Sequence, residues 1–145
     1  MPYWRHFYHL IWATQNREPM IDDAVEHIIS RSLADSFDKL NVIPHAVGVV
    51  ADHLHVVVSI PPALSVADTV HQLKGASSRA VNKEITWPLD SRFGWQTEYG
   101  SLTIGERSLI AVVEYVQNQK RHHTEGSIKR EFERINLTPA RSEER

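Results

Sequence analysis

The sequence predicts one mixed domain in which strands and amphipathic helices share a core. Three observations predict it. First, 145 residues suit a single domain and are enough to bury a real core. Second, Val42–Ala51 and His53–Ile60 are two apolar runs rich in valine and isoleucine, with Ala51-Asp52 as a tight turn between them. That is a hairpin pattern. Third, apolar residues recur at helical spacing in stretches on either side of this hairpin.

The elements follow in order. Trp4–Thr14 reads as a strand, with Tyr8, Leu10 and Trp12 on one side and a content of aromatics and Ile11 that favours extended backbone. Gln15–Pro19 is a loop. Asp22 is placed to cap a helix through Leu40, and Asp23 and Glu26 put negative charge in its first turn, where the helix dipole favours it. Val25, Ile28, Ile29, Leu33, Phe37 and Leu40 make its apolar stripe. After the hairpin, Pro61-Pro62 ends the second strand, because proline has no N–H for the ladder. Ser65 caps a helix over Val66–Glu84, with Asp68 at its third position. Residues 86–105 hold Trp87, Phe93, Trp95 and Tyr99 among glycines and a proline, and read as a loop followed by a short strand around Gly94–Tyr99. Aromatics of this kind either pack in the core or stack on nucleic-acid bases. Glu106–His123 is the last firm helix, buried through Leu109, Val112, Val113 and Val116. Residues 1–130 are therefore expected to form the domain, and 131–145 a charged, partly disordered extension.

Composition narrows the function. The chain has no cysteine, which removes disulfides and thiolate metal sites and fits a cytoplasmic location. It has no apolar run long enough to span a bilayer and no export signal at its start, so no membrane partner is expected. Sixteen basic residues against 18 acidic argue against a general polycation. The distribution is uneven, however: residues 1–70 hold 4 Lys/Arg and 8 Asp/Glu, and residues 71–130 hold 9 and 6. A local basic surface in the second half is compatible with phosphate binding, although such charges commonly only solvate a helix face.

His53 and His55 stand out inside an apolar strand. Residues two apart share a face, so the two imidazoles project side by side and could give one divalent metal ion two ligands. They could equally be two ordinary histidines, one buried and one exposed. Two more features accompany them. Tyr115 and Gln119 lie one helical turn apart on one face of the last helix, and Lys74-Gly-Ala-Ser-Ser-Arg79 forms a basic patch between the two motifs.

These strings, DHLHVVVSIPP, LKGASSR, FGWQTEYGSLTIG and YVQNQKRHH, together with the opening YHLIWATQNREPMI, resemble the single-tyrosine HUH transposases. These are the small transposases of the insertion-sequence 200/605 group and their relatives associated with repetitive extragenic palindromes. The resemblance spans roughly residues 3–124 and keeps the family's order of motifs. It implies an α+β, ferredoxin-like or RRM-like sandwich. The sheet is antiparallel, the histidine strand is central and the catalytic tyrosine is on a late helix. It implies His53, His55 and Gln119 as metal ligands and Tyr115 as nucleophile, with Asn118 and His123 as possible assistants. Lys74, Arg79, Trp95, Lys120 and Arg121 fall in regions expected to meet single-stranded DNA and its hairpins. The implied cofactor is Mg²⁺, with Mn²⁺ able to substitute. The implied assembly is a homodimer whose tyrosine helix can act in trans, with a monomer as the option among the palindrome-associated relatives.

The residue types suit that chemistry. Breaking and rejoining a DNA strand without losing the bond's energy needs a covalent intermediate, and a tyrosine hydroxyl can form one with the scissile phosphate. Its pKa near ~10 leaves it mostly protonated at neutral pH, so charge on the leaving oxygen must be stabilised by other groups. A histidine-triad nucleotide hydrolase also carries His-hydrophobic-His on a strand, but it wants a third histidine where this chain has Val57. A domesticated, inactive DNA- or hairpin-binding protein of the same fold, and a plain structural protein, are the other readings.

Overall fold

Alternation along β1 (Phe7–Ala13) and β3 (His53–Ser59) decides what each face of the sheet receives. The structure, a computed structural model, describes residues 4–118. Leu10 and Trp12 of β1 and Leu54, Val56 and Val58 of β3 point to one face. There they meet Val25, Ile28, Ile29, Leu33 and Phe37 of α1 (Asp23–Leu40) and Val70, Leu73 and Val81 of α2 (Val66–Glu84) in the main core. Phe7, His9 and Ile11, with His53, His55 and Val57, alternate to the opposite face. That face is closed by α3 (Leu109–Gln117), through Val112, Tyr115 and Val116 packed on Val57 and on Ala46 of β2 (Ile43–Val50). Both faces are covered, which is why β3 is buried at every residue.

With β4 (Gly100–Ile104) the sheet order is β2-β3-β1-β4, antiparallel throughout. This is the ferredoxin-like arrangement, with the histidine strand inside the sheet. The helix starts follow the sequence signals. Asp22 accepts from the Val25 N–H at 2.9 Å, and Ser65 accepts from the Asp68 N–H at 2.9 Å. Asn41 ends α1 in the left-handed region, with φ 57°.

Three boundaries differ from expectation. The first strand begins at Phe7 rather than Trp4. The expected strand at Gly94–Tyr99 is absent: only Trp95 bridges to Thr14, and the fourth strand is the next segment, Gly100–Ile104. Its Leu102 and Ile104 pair with His9 and Phe7, whereas the aromatics before it turn into the main core and break the ladder. Residues Glu106–Ser108 form a 3₁₀ turn, so α3 starts at Leu109. The expected continuation of this helix, and the 131–145 extension, lie outside the described residues.

The Ala51-Asp52 turn contains no residue with positive φ, unlike the favoured two-residue hairpin turns. Tertiary bonds hold it instead. Thr14 donates its N–H and its hydroxyl to the Asp52 carbonyl at 2.9 and 3.2 Å, and the Ile21 N–H donates to the Ala51 carbonyl at 3.0 Å.

His45 lies at the bulge of β2, with Nε2 2.8 Å from Ser59 Oγ and its ring edge-on to Phe7. Burial, and then the nearby Arg5 charge, hold its pKa below the usual 6.5. The unfolded chain therefore takes up this proton at higher pH than the folded one. Stability rises with pH across that interval and falls as pH drops below about 6.5 towards the depressed value. The melting temperature should decline between about pH 7 and pH 5, and His45→Gln should shrink that decline. An unchanged pH dependence in the variant would refute this.

Candidate functional site

The site lies between the sheet and α3. His53 and His55 are 1% and 0% exposed, and their ring centroids are 5.2 Å apart at 62°. Each ring is held through Nδ1 by a different group. His53 Nδ1 is 2.8 Å from Asp52 Oδ1, and the other Asp52 oxygen is 3.8 Å from Arg17. His55 Nδ1 is 2.7 Å from His9 Nε2. Register explains the second contact. His55 pairs with Ile11 across β1, so His9, two residues along the same face, is its diagonal neighbour. With both Nδ1 atoms engaged, Nε2 is the nitrogen through which either ring would bind a cation. Metal-binding histidines ordinarily have this arrangement, a second-sphere acceptor on the far nitrogen fixing the tautomer. The donor set fits a divalent ion that tolerates imidazole. Among the described residues, no three of His, Cys, Asp and Glu are placed as a complete cluster.

Tyr115 closes the site from α3. It is 3% exposed, and its ring lies edge-on to His55 with centroids 6.2 Å apart at 76°. The apolar stripe of α3 brings it there, because Val112 and Val116, on the same helical face, anchor the helix to Val57 and Ala46. Val57 occupies the position on the histidine face where a histidine-triad hydrolase needs its third histidine. Asn118 is exposed, and its Nδ2 donates back to the Glu114 carbonyl at 2.8 Å, closing the end of the helix. Gln119, Lys120, Arg121 and His123 lie outside the described residues.

The expected DNA-facing residues take different positions. Lys74 Nζ donates to the carbonyls of Gln96, Thr97 and Glu98 at 2.5, 3.2 and 3.3 Å. Burial pushes its pKa below the ordinary lysine value, opposed by the Glu98 charge. Its first role is thus to fasten the loop before β4. Trp95 donates Nε1–H to Ser77 Oγ at 2.9 Å, and its ring packs edge-on to Phe93 and Trp12. It is half-buried at the edge of the core, leaving only part of the ring to stack on a base. Arg79 is exposed on α2. Lys74, Ser78, His71, Trp95 and Tyr99 line an open cleft of about 440 Å³ between α2 and this loop. Lys74→Met should destabilise the protein by about 1–2 kcal/mol through lost charge-assisted bonds. It should also make residues 96–98 the first site of protease cutting, which limited proteolysis would reveal. A variant as resistant as the wild type would count against the fastening role.

Sequence reasoning missed His9, Asp52 and Arg17. His9 had a readable signal: a histidine on the face of β1 opposite Tyr8, Leu10 and Trp12 faces the same way as residues of the neighbouring strand's other parity. In the sequence Asp52 carries only the signal of a turn residue.

The class comes from the fold. A crystal structure of a protein from Deinococcus radiodurans R1 assigned as a transposase matches with a TM-score of 0.63 at 28% identity, over 82% of this chain and 95% of that one. The structure of the REP-associated tyrosine transposase bound to a REP hairpin matches with a TM-score of 0.65 at 13% identity, over 85% of this chain and 74% of that one, a likeness of fold. These are α+β transposase architectures, and the sheet and helices here follow them. The sequence profile described as "Transposase IS200 like" matches residues 2–119, and the chain belongs to that family. The ISDra2 transposase TnpA of Deinococcus radiodurans is 27% identical over 115 residues, covering 77% of this chain and 82% of that protein. Among the described residues no helix is long and apolar enough to cross a membrane.

Proposed function

We propose that this transposase cleaves and rejoins single-stranded DNA at element ends through a tyrosine–phosphate intermediate, in a metal-dependent reaction. The observation that carries the reading is the edge-on approach of Tyr115 to His55, 6.2 Å between centroids, on the face that also carries His53. Tyr115 Oη attacks the scissile phosphorus. The new bond is P–Oη and the P–O3′ bond breaks; Oη gives up its proton and the departing 3′ oxygen takes one up, so the net step moves one proton from the phenol to the new 3′-hydroxyl. A 3′-hydroxyl of another strand reverses the exchange and frees the tyrosine, so the bond's energy is kept.

His53 and His55 would hold the cation, with Gln119 as the third ligand. Mg²⁺ is the expected ion, with Mn²⁺ substituting. When bound, it would polarise the phosphate and stabilise charge on the leaving oxygen. The protein's own part is to fix the two imidazoles, exclude water under α3 and hold the Tyr115 ring across from His55. All the proposed ligands are neutral, which avoids repelling a phosphate. Asp52 adds a carboxylate outside that set, and Arg17 lies beside it to offset the charge.

Tyr115 and His55 meet within this chain, the contact a site assembled in cis would use. A homodimer exchanging α3 is the other arrangement consistent with the family. The REP-associated relative was solved with a REP hairpin, which supports hairpin-ended DNA as the partner. The test is to incubate the protein with the single-stranded DNA that flanks its gene, with Mg²⁺ or Mn²⁺. A covalent protein–DNA adduct that chelator suppresses is expected. A protein that binds the hairpin but never forms an adduct would instead be a domesticated binding protein.

A further inference from the structure

The two histidines sit on the same strand yet are held by unlike partners. His53 faces a carboxylate, and His55 faces a second imidazole. The His9–His55 contact is not ring stacking in the usual sense. Nitrogens lie on the ring perimeter, and their 2.7 Å separation is shorter than two stacked planes permit. With the centroids 4.9 Å apart and the planes 27° from parallel, the rings meet edge to edge. That is the geometry of an N–H···N hydrogen bond. Both residues are fully buried, His9 at 1% and His55 at 0% exposure, so the pair is built into the fold.

We propose that His9 is a positioning residue that sets the tautomer and aim of His55. This rests on the reading that His55 is a metal ligand. An imidazole that binds a cation through Nε2 must carry its proton on Nδ1. His55 Nδ1–H therefore donates to His9 Nε2, which must be bare, so the proton of a neutral His9 is on Nδ1. His9 does for His55 what the Asp52 carboxylate does for His53, but without adding a negative charge. A second carboxylate at this depth, under a site meant for phosphate, would cost desolvation and repel the substrate. An imidazole supplies an acceptor of the right reach and stays neutral.

The choice of variants follows from reach. Gln places an amide oxygen near the position of Nε2 and keeps an acceptor there, while Leu fills similar space and offers none. Mn²⁺ affinity is measured on the full chain without DNA, by the loss of the free-ion electron paramagnetic resonance signal. His9→Leu is expected to weaken Mn²⁺ binding about 10- to 100-fold, the usual cost of losing a second-sphere partner. His9→Gln is expected to recover most of that loss at equal thermal stability. In ¹⁵N-resolved spectra, wild-type His55 should show the Nδ1–H tautomer, and His9→Leu should mix the two tautomers. Each outcome is decisive. If His55→Ala abolishes Mn²⁺ binding but His9→Leu, still folded by circular dichroism, binds as tightly as wild type, the role of His9 is wrong and the metal reading stands. If His9→Leu and His9→Gln are equally impaired, His9 acts by packing and the proposal falls. If His53→Ala and His55→Ala both bind Mn²⁺ as wild type does, the metal reading falls and takes this proposal with it.

Discussion

Tyr115→Phe should eliminate the covalent protein–DNA adduct and lower strand cleavage by at least about 10³-fold, the scale on which removal of a covalent nucleophile is felt. The fold should hardly register the change. The phenyl ring keeps its packing against Val57, Val112 and Val116 and its edge contact with His55. Only a hydroxyl is removed, at a cost of about 1 kcal/mol or less. DNA binding should also survive, so a gel-shift assay gives the matching control. An adduct that persists in Tyr115→Phe would assign the nucleophile elsewhere. If cleavage were lost together with the melting transition, the tyrosine would be part of the packing and no more.

His53→Ala and His55→Ala should each lower metal-supported cleavage by on the order of 10²-fold or more, since each removes half of the imidazole donor set that holds charge stabilisation at the phosphate. Their effects on stability should differ from those on chemistry. Each leaves a small cavity on the histidine face of the sheet, at a cost of about 1–3 kcal/mol, and the main core on the other face is untouched. Raising the Mn²⁺ concentration should partly restore cleavage if the loss is one of metal affinity. Full activity in His53→Ala at ordinary Mg²⁺ concentration would remove this histidine from the site.

The order of elements was legible because its causes are local. Asp22 and Ser65 cap their helices through contacts three residues long, and the hairpin pattern needs only two neighbouring runs. The pairing of His53 with His55 on one face followed from strand parity alone. Two things were not legible. The fourth strand lies one segment later than the sequence pattern points, because Phe93 and Trp95 look like strand residues but are taken up by the main core, leaving the weaker GSLTI to pair with β1. The partners of the histidines depend on register and on which loops meet. His9 is 46 residues from His55. No pattern within a single segment encodes such meetings. The resemblance to the family carried Tyr115, whose helical spacing alone would have suited a core residue as well.

Every second residue of β3 belongs to a different task. Leu54, Val56 and Val58 tie the sheet to α1 and α2, while His53, His55 and Val57 face α3. Selection can therefore act on the two sets separately. A lineage that no longer needs strand cleavage could lose His53, His55 or Tyr115 by drift and still inherit a folded protein with its outer surfaces intact. Substitutions at Leu54 or Val56 would be purged even in such a lineage, for as long as the protein served any purpose. The ratio of change at His53 and His55 to that at Leu54 and Val56 would thus mark the loss of catalysis in a set of related copies, whereas Val57, packed under Val112 and Val116, would be kept with the core.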